Sequence, residues 1–107
     1  MKKLLIVGND ILVIQALEGA GRSLGFSEVV ICDHSISSAE FLKENATHVI
    51  VTDYDRASRD SLNTWARIGG IYEKNQIIVR CGYKEHNYPD YFKLPFALPE
   101  LKRILRL

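Results

Sequence analysis

Five short apolar runs punctuate the chain: KLLIV at Lys3–Val7, EVVIC at Glu28–Cys32, the run Val49–Thr52, QIIVRC at Gln76–Cys81, and Tyr91–Leu94. Each is too short for a helix and rich in β-branched or aromatic side chains, the signature of strands. The stretch His48 to Asp55, HVIVTDYD, organises the rest. Its core, Val49 to Thr52, offers apolar side chains to both faces of a strand, as a central strand of a parallel sheet covered on both sides requires.

Between these runs the period changes from two to between three and four. Ile14, Leu17, Gly21 and Leu24 recur at helical spacing with Gln15, Glu18 and Arg22 between them, predicting a helix from about Asp10 to Leu24 that Gly25 stops. Gly19 and Gly21 within it point to close packing on the sheet. Ser37 and Glu40 form an S-x-x-E capping box for a second helix carrying Ala39, Phe41 and Leu42 and ending near Asn45. Asp60 can cap a third helix with Leu62, Trp65, Ala66 and Gly69 on one face, ended by Gly69-Gly70. Gly82 to Pro89, GYKEHNYP, is short for a parallel crossover, which usually takes about a dozen residues or more, so a loop or single turn replaces a helix there. Pro99 suits the first turn of a last helix with Leu98, Leu101, Ile104 and Leu105 inward and Lys102, Arg103 and Arg106 outward. The order β-α-β-α-β-α-β-loop-β-α predicts an α/β domain, a doubly wound five-stranded parallel sheet with its fourth helix shortened or missing.

At 107 residues there is one domain, with 47% apolar and 25% charged residues, as in an ordinary soluble globule. Fourteen Lys and Arg against thirteen Asp and Glu leave a net charge of +1, which draws the domain neither to nucleic acid nor to an anionic membrane. No apolar run reaches membrane-spanning length and no cleavable signal precedes the first strand, so a cytoplasmic location is expected. Cys32 and Cys81 each end an apolar run and are expected to be reduced and structural. His34, His48 and His86 lack metal-ligand spacing and are expected to be solvated or capping. The GxxxxGK and GxGxxG phosphate loops are absent.

Chemistry is expected where the central strand ends. Asp53 follows it directly, at the carboxyl edge where open α/β sheets bind ligands; capping of the strand end is the alternative reading. Arg56 and Arg59 flank the site and are expected to pair with Asp55 or Asp60. Tyr83, Tyr88, Tyr91, Phe92 and Phe96 crowd the segment before the last helix, some filling the place of the missing helix and some facing a partner, with Tyr91 expected to be exposed. Trp65 is expected to pack helix against sheet.

LLIVGND, LGF, ISSAEFLKEN, HVIVTD, IIVRCGY and YFKLPF together resemble, over nearly the whole chain, the receiver domain of bacterial response regulators, which accepts a phosphoryl group on an aspartate in two-component phosphorelay signalling. The resemblance implies the flavodoxin-like fold with strand order 2-1-3-4-5 and a cis bond between Leu94 and Pro95. It places Asp53 at the phospho-acceptor position and the Asp55 carbonyl among the Mg²⁺ ligands. The family's two acids after the first strand fall on Gly8 and Asn9, followed by Asp10. Cys81 stands at a Thr or Ser position and Tyr91 at a mobile aromatic. The family's lysine aligns with Leu94, while Lys93 lies one residue earlier and points to the opposite face.

These departures bear on the chemistry, because phosphoryl transfer to a carboxylate rests on positioning and on neutralising charge over the equatorial oxygens. Asn9 keeps an oxygen ligand but loses a full charge, and Leu94 removes a phosphate partner. The expected metal set is Asp10, Asp53 and Asp55, binding Mg²⁺ weakly if at all, with Asp10 alternatively serving the dipole of the first helix. The resulting expectation is a pseudo-receiver: a regulatory module that retains Asp53, has weak or absent Mg²⁺-dependent phosphorylation, and at most catalyses its own modification. Cys81, Tyr91 and Lys93 form its expected switch or partner surface. Its partner is expected to be a histidine kinase or downstream regulator, with a homodimer possible and no direct contact to nucleic acid or membrane. The rival readings are a working receiver using Asp10 and Asp53, and a small-ligand or nucleotide sensor on the same fold.

Overall fold

The computed structural model describes residues 2–32, 46–52, 77–85, 87 and 89–107. Within them lie strands β1 (Lys3–Val7), β2 (Glu28–Cys32), β3 (His48–Val51), β4 (Ile77–Gly82) and β5 (Tyr91–Lys93), with helices α1 (Ile11–Ser23) and α2 (Leu98–Ile104). All pairings are parallel and the sheet order is β2-β1-β3-β4-β5. This is the order expected from the sequence, with strand ends within a residue of those predicted. The predicted second and third helices fall outside the described residues.

Strand alternation divides the core in two. Leu4 and Ile6 of β1, Ile50 of β3, and Val79 and Cys81 of β4 join Val13, Ile14 and Leu17 of α1 and Leu101 and Leu105 near α2 in one buried cluster. Leu5, Val7, Val49 and Val51 form a second. Apolar side chains therefore leave both faces of β1 and β3, as a doubly wound sheet demands. Leu98, expected to point inward, is exposed: it is the first residue of α2, directly before Pro99, and lies ahead of the Leu101–Leu105 stripe.

Both helices end alike. At α1, Gly25 takes the left-handed conformation (φ 91°), its N–H donating to the Arg22 carbonyl and that of Phe26 to the Gly21 carbonyl. At α2, Arg106 does the same (φ 56°), with Arg106 N–H donating to Arg103 and Leu107 N–H to Lys102. In each case the next residue, Phe26 or Leu107, folds back onto the core, the hydrophobic contact of a Schellman motif.

Gly21 is needed for a different reason. A Cβ there would stand 2.7 Å from Leu4 Cδ2 and 3.4 Å from Val29 Cγ2, and Leu4 is itself buried and hemmed in, whereas one on Gly19 meets nothing within 4 Å. Gly19→Ala is expected to stabilise by about 1 kcal/mol through helix propensity, and Gly21→Ala to destabilise by about 1 kcal/mol because overpacking outweighs the same gain. Urea midpoints of the two variants check the opposite signs.

β4 and β5 are joined by residues 83–90, and no helix occurs among the described residues of that segment. So short a parallel connection works because β5 pairs only with the last three residues of β4, Arg80↔Tyr91, Cys81↔Phe92 and Gly82↔Lys93. The chain needs to return only about 10 Å along the strand direction. A clamp fixes the return: Arg80 N–H donates to the Asp90 carbonyl at 2.7 Å, and its guanidinium grips the Asp90 carboxylate through Nε (3.1 Å) and Nη2 (2.7 Å). The Leu94-Pro95 peptide is cis, as the resemblance implied.

At the start of the central strand β3, the His48 ring is buried edge-on to Phe26, its Nε2 lying 3.1 Å from the Leu105 carbonyl. A carbonyl only accepts, so Nε2 carries the proton and His48 caps the end of α2. Nδ1 meets the Thr47 hydroxyl at 2.8 Å, and that hydroxyl also reaches the Lys3 carbonyl at 3.0 Å. The single hydroxyl hydrogen serves Nδ1 while the ring is neutral and the Lys3 carbonyl when Nδ1 is protonated. Burial pushes the His48 pKa below its ordinary 6.5, against the Leu105 hydrogen bond and with help from Lys2. The unfolded chain then holds more protons between the two values. The His48 contribution is complete above about pH 6.5 and is lost as pH falls through that value toward the folded pKa. His48→Gln is expected to flatten the fall in urea midpoint between about pH 7 and pH 5.

Candidate functional site

β1, β3 and β4 end at one edge of the sheet, which carries the Asp10 turn and the exit of β3. Thr52, directly after β3, is fully buried; its N–H and its hydroxyl both donate to the Val7 carbonyl, at 2.7 and 2.8 Å. The exit of β3 is thereby tied to that of β1, and the chain continues into Asp53. Asp53, Asp55, Arg56, Arg59 and Trp65 lie outside the described residues.

Asp10 is the N-cap of α1. Its Oδ1 accepts from the N–H groups of Leu12 (3.1 Å) and Val13 (3.5 Å), satisfying two of the donors a helix leaves open at its start. No other acid stands in the first turn of α1, so the helix dipole there is met by Asp10. Its other oxygen, Oδ2, accepts from the hydroxyl of Tyr83, which follows β4 directly, at 3.3 Å. Because β1 and β4 flank β3, this bond spans the carboxyl end of the central strand. Nothing local in sequence signals it, since the two residues are 73 positions apart; only the sheet order brings them together.

The remaining predicted residues are placed as follows. Cys81 is fully buried in the cluster beneath α1 and α2, and Cys32 is a separate thiol. Tyr91, expected to be exposed, is buried at 9% exposure, with its hydroxyl donating to the Lys84 carbonyl at 2.6 Å. The return loop meets the ring through the Lys84 carbonyl, and among the described residues Tyr83 is the exposed aromatic instead, at 46%. Neither Cys81 nor Tyr91 therefore presents a surface. Lys93 does, and it pairs with Glu85 at 3.4 Å. Leu94, on the other face, is 5% exposed and belongs to the core with Phe92, whose ring stands edge-on to Phe96 at 6.0 Å. Ile11 and Leu12, which no motif in the sequence singles out, stand beside Asp10 at 68% and 78% exposure.

Mg²⁺ favours near-octahedral oxygen coordination from one or two carboxylates, waters and phosphate. Among the described residues no group of three or more His, Cys, Asp or Glu side chains is placed to hold a metal. Asp10, the acid at the turn, accepts from helix N–H groups through one oxygen and from Tyr83 through the other. Asp53 and Asp55, the other two expected ligands, lie outside the described residues.

No family model matches the chain, and no curated protein does either. Solved structures do. A response regulator from Thermotoga maritima aligns over 100% of this chain and 99% of its own with a TM-score of 0.77 at 18% identity. The signal receiver domain of a modulated diguanylate cyclase from Desulfovibrio desulfuricans G20 aligns over 99% and 91% with a TM-score of 0.73 at 21% identity. A response regulator receiver domain protein from Bacillus halodurans aligns over 98% and 94% with a TM-score of 0.66 at 19% identity. The chain has the receiver fold. No helix among the described residues is long and apolar enough to cross a membrane.

Proposed function

We propose that this receiver-fold chain is a module of two-component signalling whose output is a protein contact, and that it retains Asp53 without effective Mg²⁺-dependent phosphorylation. One observation carries the reading: the carboxylate at the acid turn, Asp10, is committed to the start of α1 and to Tyr83. A dication there competes with a cap worth about 1 kcal/mol and with a hydrogen bond besides. Leu94 adds to this, since a core leucine stands where the resemblance places a lysine for the phosphate. The protein contact is supported by the exposed Ile11, Leu12 and Tyr83 around the same edge. Its partner is a histidine kinase or a downstream regulator.

Titration with Mg²⁺ and then beryllofluoride, followed by the amide signals of Asp10, Thr52 and Tyr83 and by the fluorescence of Trp65, tests this. No saturable change is expected through millimolar metal. Saturable shifts converging on Thr52 and Asp53 would establish a working receiver in its place.

A further inference from the structure

The Asp10–Tyr83 bond is made between two loops that belong to different strands, and it crosses the end of a third. A cation bridging loops at this edge would do so by drawing oxygens from each toward one centre. Here a phenol does the bridging. Asp10 Oδ1 meets the N–H groups of Leu12 and Val13 at the positive end of α1. Tyr83 donates to the other oxygen, from the position immediately after Gly82. The ring itself is nearly half exposed, so it is held at the rim and not in the core.

We infer that Tyr83 is a built-in substitute for a dication, a latch whose hydroxyl holds Asp10 and joins the β1–α1 and β4–β5 loops over the exit of β3. The inference rests on the functional reading above and deepens it: weak metal binding comes from competition by Tyr83 as well as from the lost acids. Removing the hydroxyl takes from the Asp10 carboxylate one donor with which a cation has to compete. Tyr83→Phe keeps the ring at the rim and removes only the donor. Asp10→Asn keeps a good N-cap while removing the charge, so its effect on metal is separable from an effect on folding.

The test uses Mn²⁺ as the probe, read by paramagnetic broadening of the amide signals of residues 9–13 and 82–84. Tyr83→Phe is expected to bind Mn²⁺ about fivefold more tightly than wild type. The double variant Tyr83→Phe with Asp10→Asn is expected to lose that gain with its helix intact. Weak binding by wild type and Tyr83→Phe alike would overturn the latch and leave the functional reading standing. Tight, saturable binding by wild type itself would overturn both.

Discussion

Leu101→Ala is expected to lower stability by about 3 kcal/mol, and the melting temperature by about 15 °C. Leu101 is fully buried against β-strand side chains and α1, and α2 spans only Leu98–Ile104. A helix of two turns has no stability of its own in water, so tertiary packing has to hold it. Its N-cap, Ala97, makes no side-chain hydrogen bond, and its other anchors are Leu105, the Schellman end and His48 on the Leu105 carbonyl. Truncating Leu101 opens a cavity on the cluster that also contains Leu94, so the cost extends beyond the lost methyl groups. Thermal melting by circular dichroism, with chemical denaturation as the second measure, checks the value. A loss under about 1 kcal/mol would mean that α2 is not held by this stripe.

Asn9→Asp is expected to raise affinity for Mg²⁺ or Mn²⁺ by about tenfold. Asn9 stands one residue after Gly8, at the exit of β1, and is exposed. The β1–β3 register pairs Val7 with Val51, and Thr52 bonds back to the Val7 carbonyl, so the two chains leave the sheet side by side. A new carboxylate at residue 9 therefore enters the edge to which the sequence delivers Asp53. One unit pair at about 4 Å is worth about 4 kcal/mol at an effective dielectric near 20. Solvent at an exposed position reduces this to about 1.4 kcal/mol, which is tenfold. Isothermal titration with Mn²⁺ reads the change, and an Asn9→Asp variant no tighter than wild type would show that the lost acid is not what limits metal binding.

Much of the fold was legible because its strands are short, β-branched and separated by turn residues with defined roles. Lys3–Val7 and Glu28–Cys32 were predicted to the residue, and Gly25 was identified as the stop of the first helix. The shortness of residues 83–90 implied the absence of a fourth helix, and the three-residue pairing of β5 explains how the chain manages it. What periodicity missed was direction at helix entrances. Leu98 fits the inward spacing of α2 yet lies outside, because the preceding chain has not yet turned onto the core. Tyr91 was misjudged for a related reason: without a helix to cover it, the ring is covered by its own loop, through the Lys84 carbonyl.

The site was legible only in part. Asp10 was visible as either metal ligand or helix acid, and the cap geometry identifies its present occupation as the second. Its partnership with Tyr83 depends on strand order, which places β1 and β4 on either side of β3, and no local pattern encodes it. His48 was expected to be solvated or capping; it caps, but from within the core and on the last turn of a helix far along the chain. Long-range hydrogen bonds of this kind are set by topology and carry no signature in spacing.

The most direct measurement is intact mass after incubation with Mg²⁺ and a small acyl-phosphate donor, alongside Asp53→Asn. Wild-type protein that gains no phosphoryl mass, and is indistinguishable from Asp53→Asn, is the predicted result. Stoichiometric, acid-labile phosphorylation of wild type that vanishes in Asp53→Asn would contradict it.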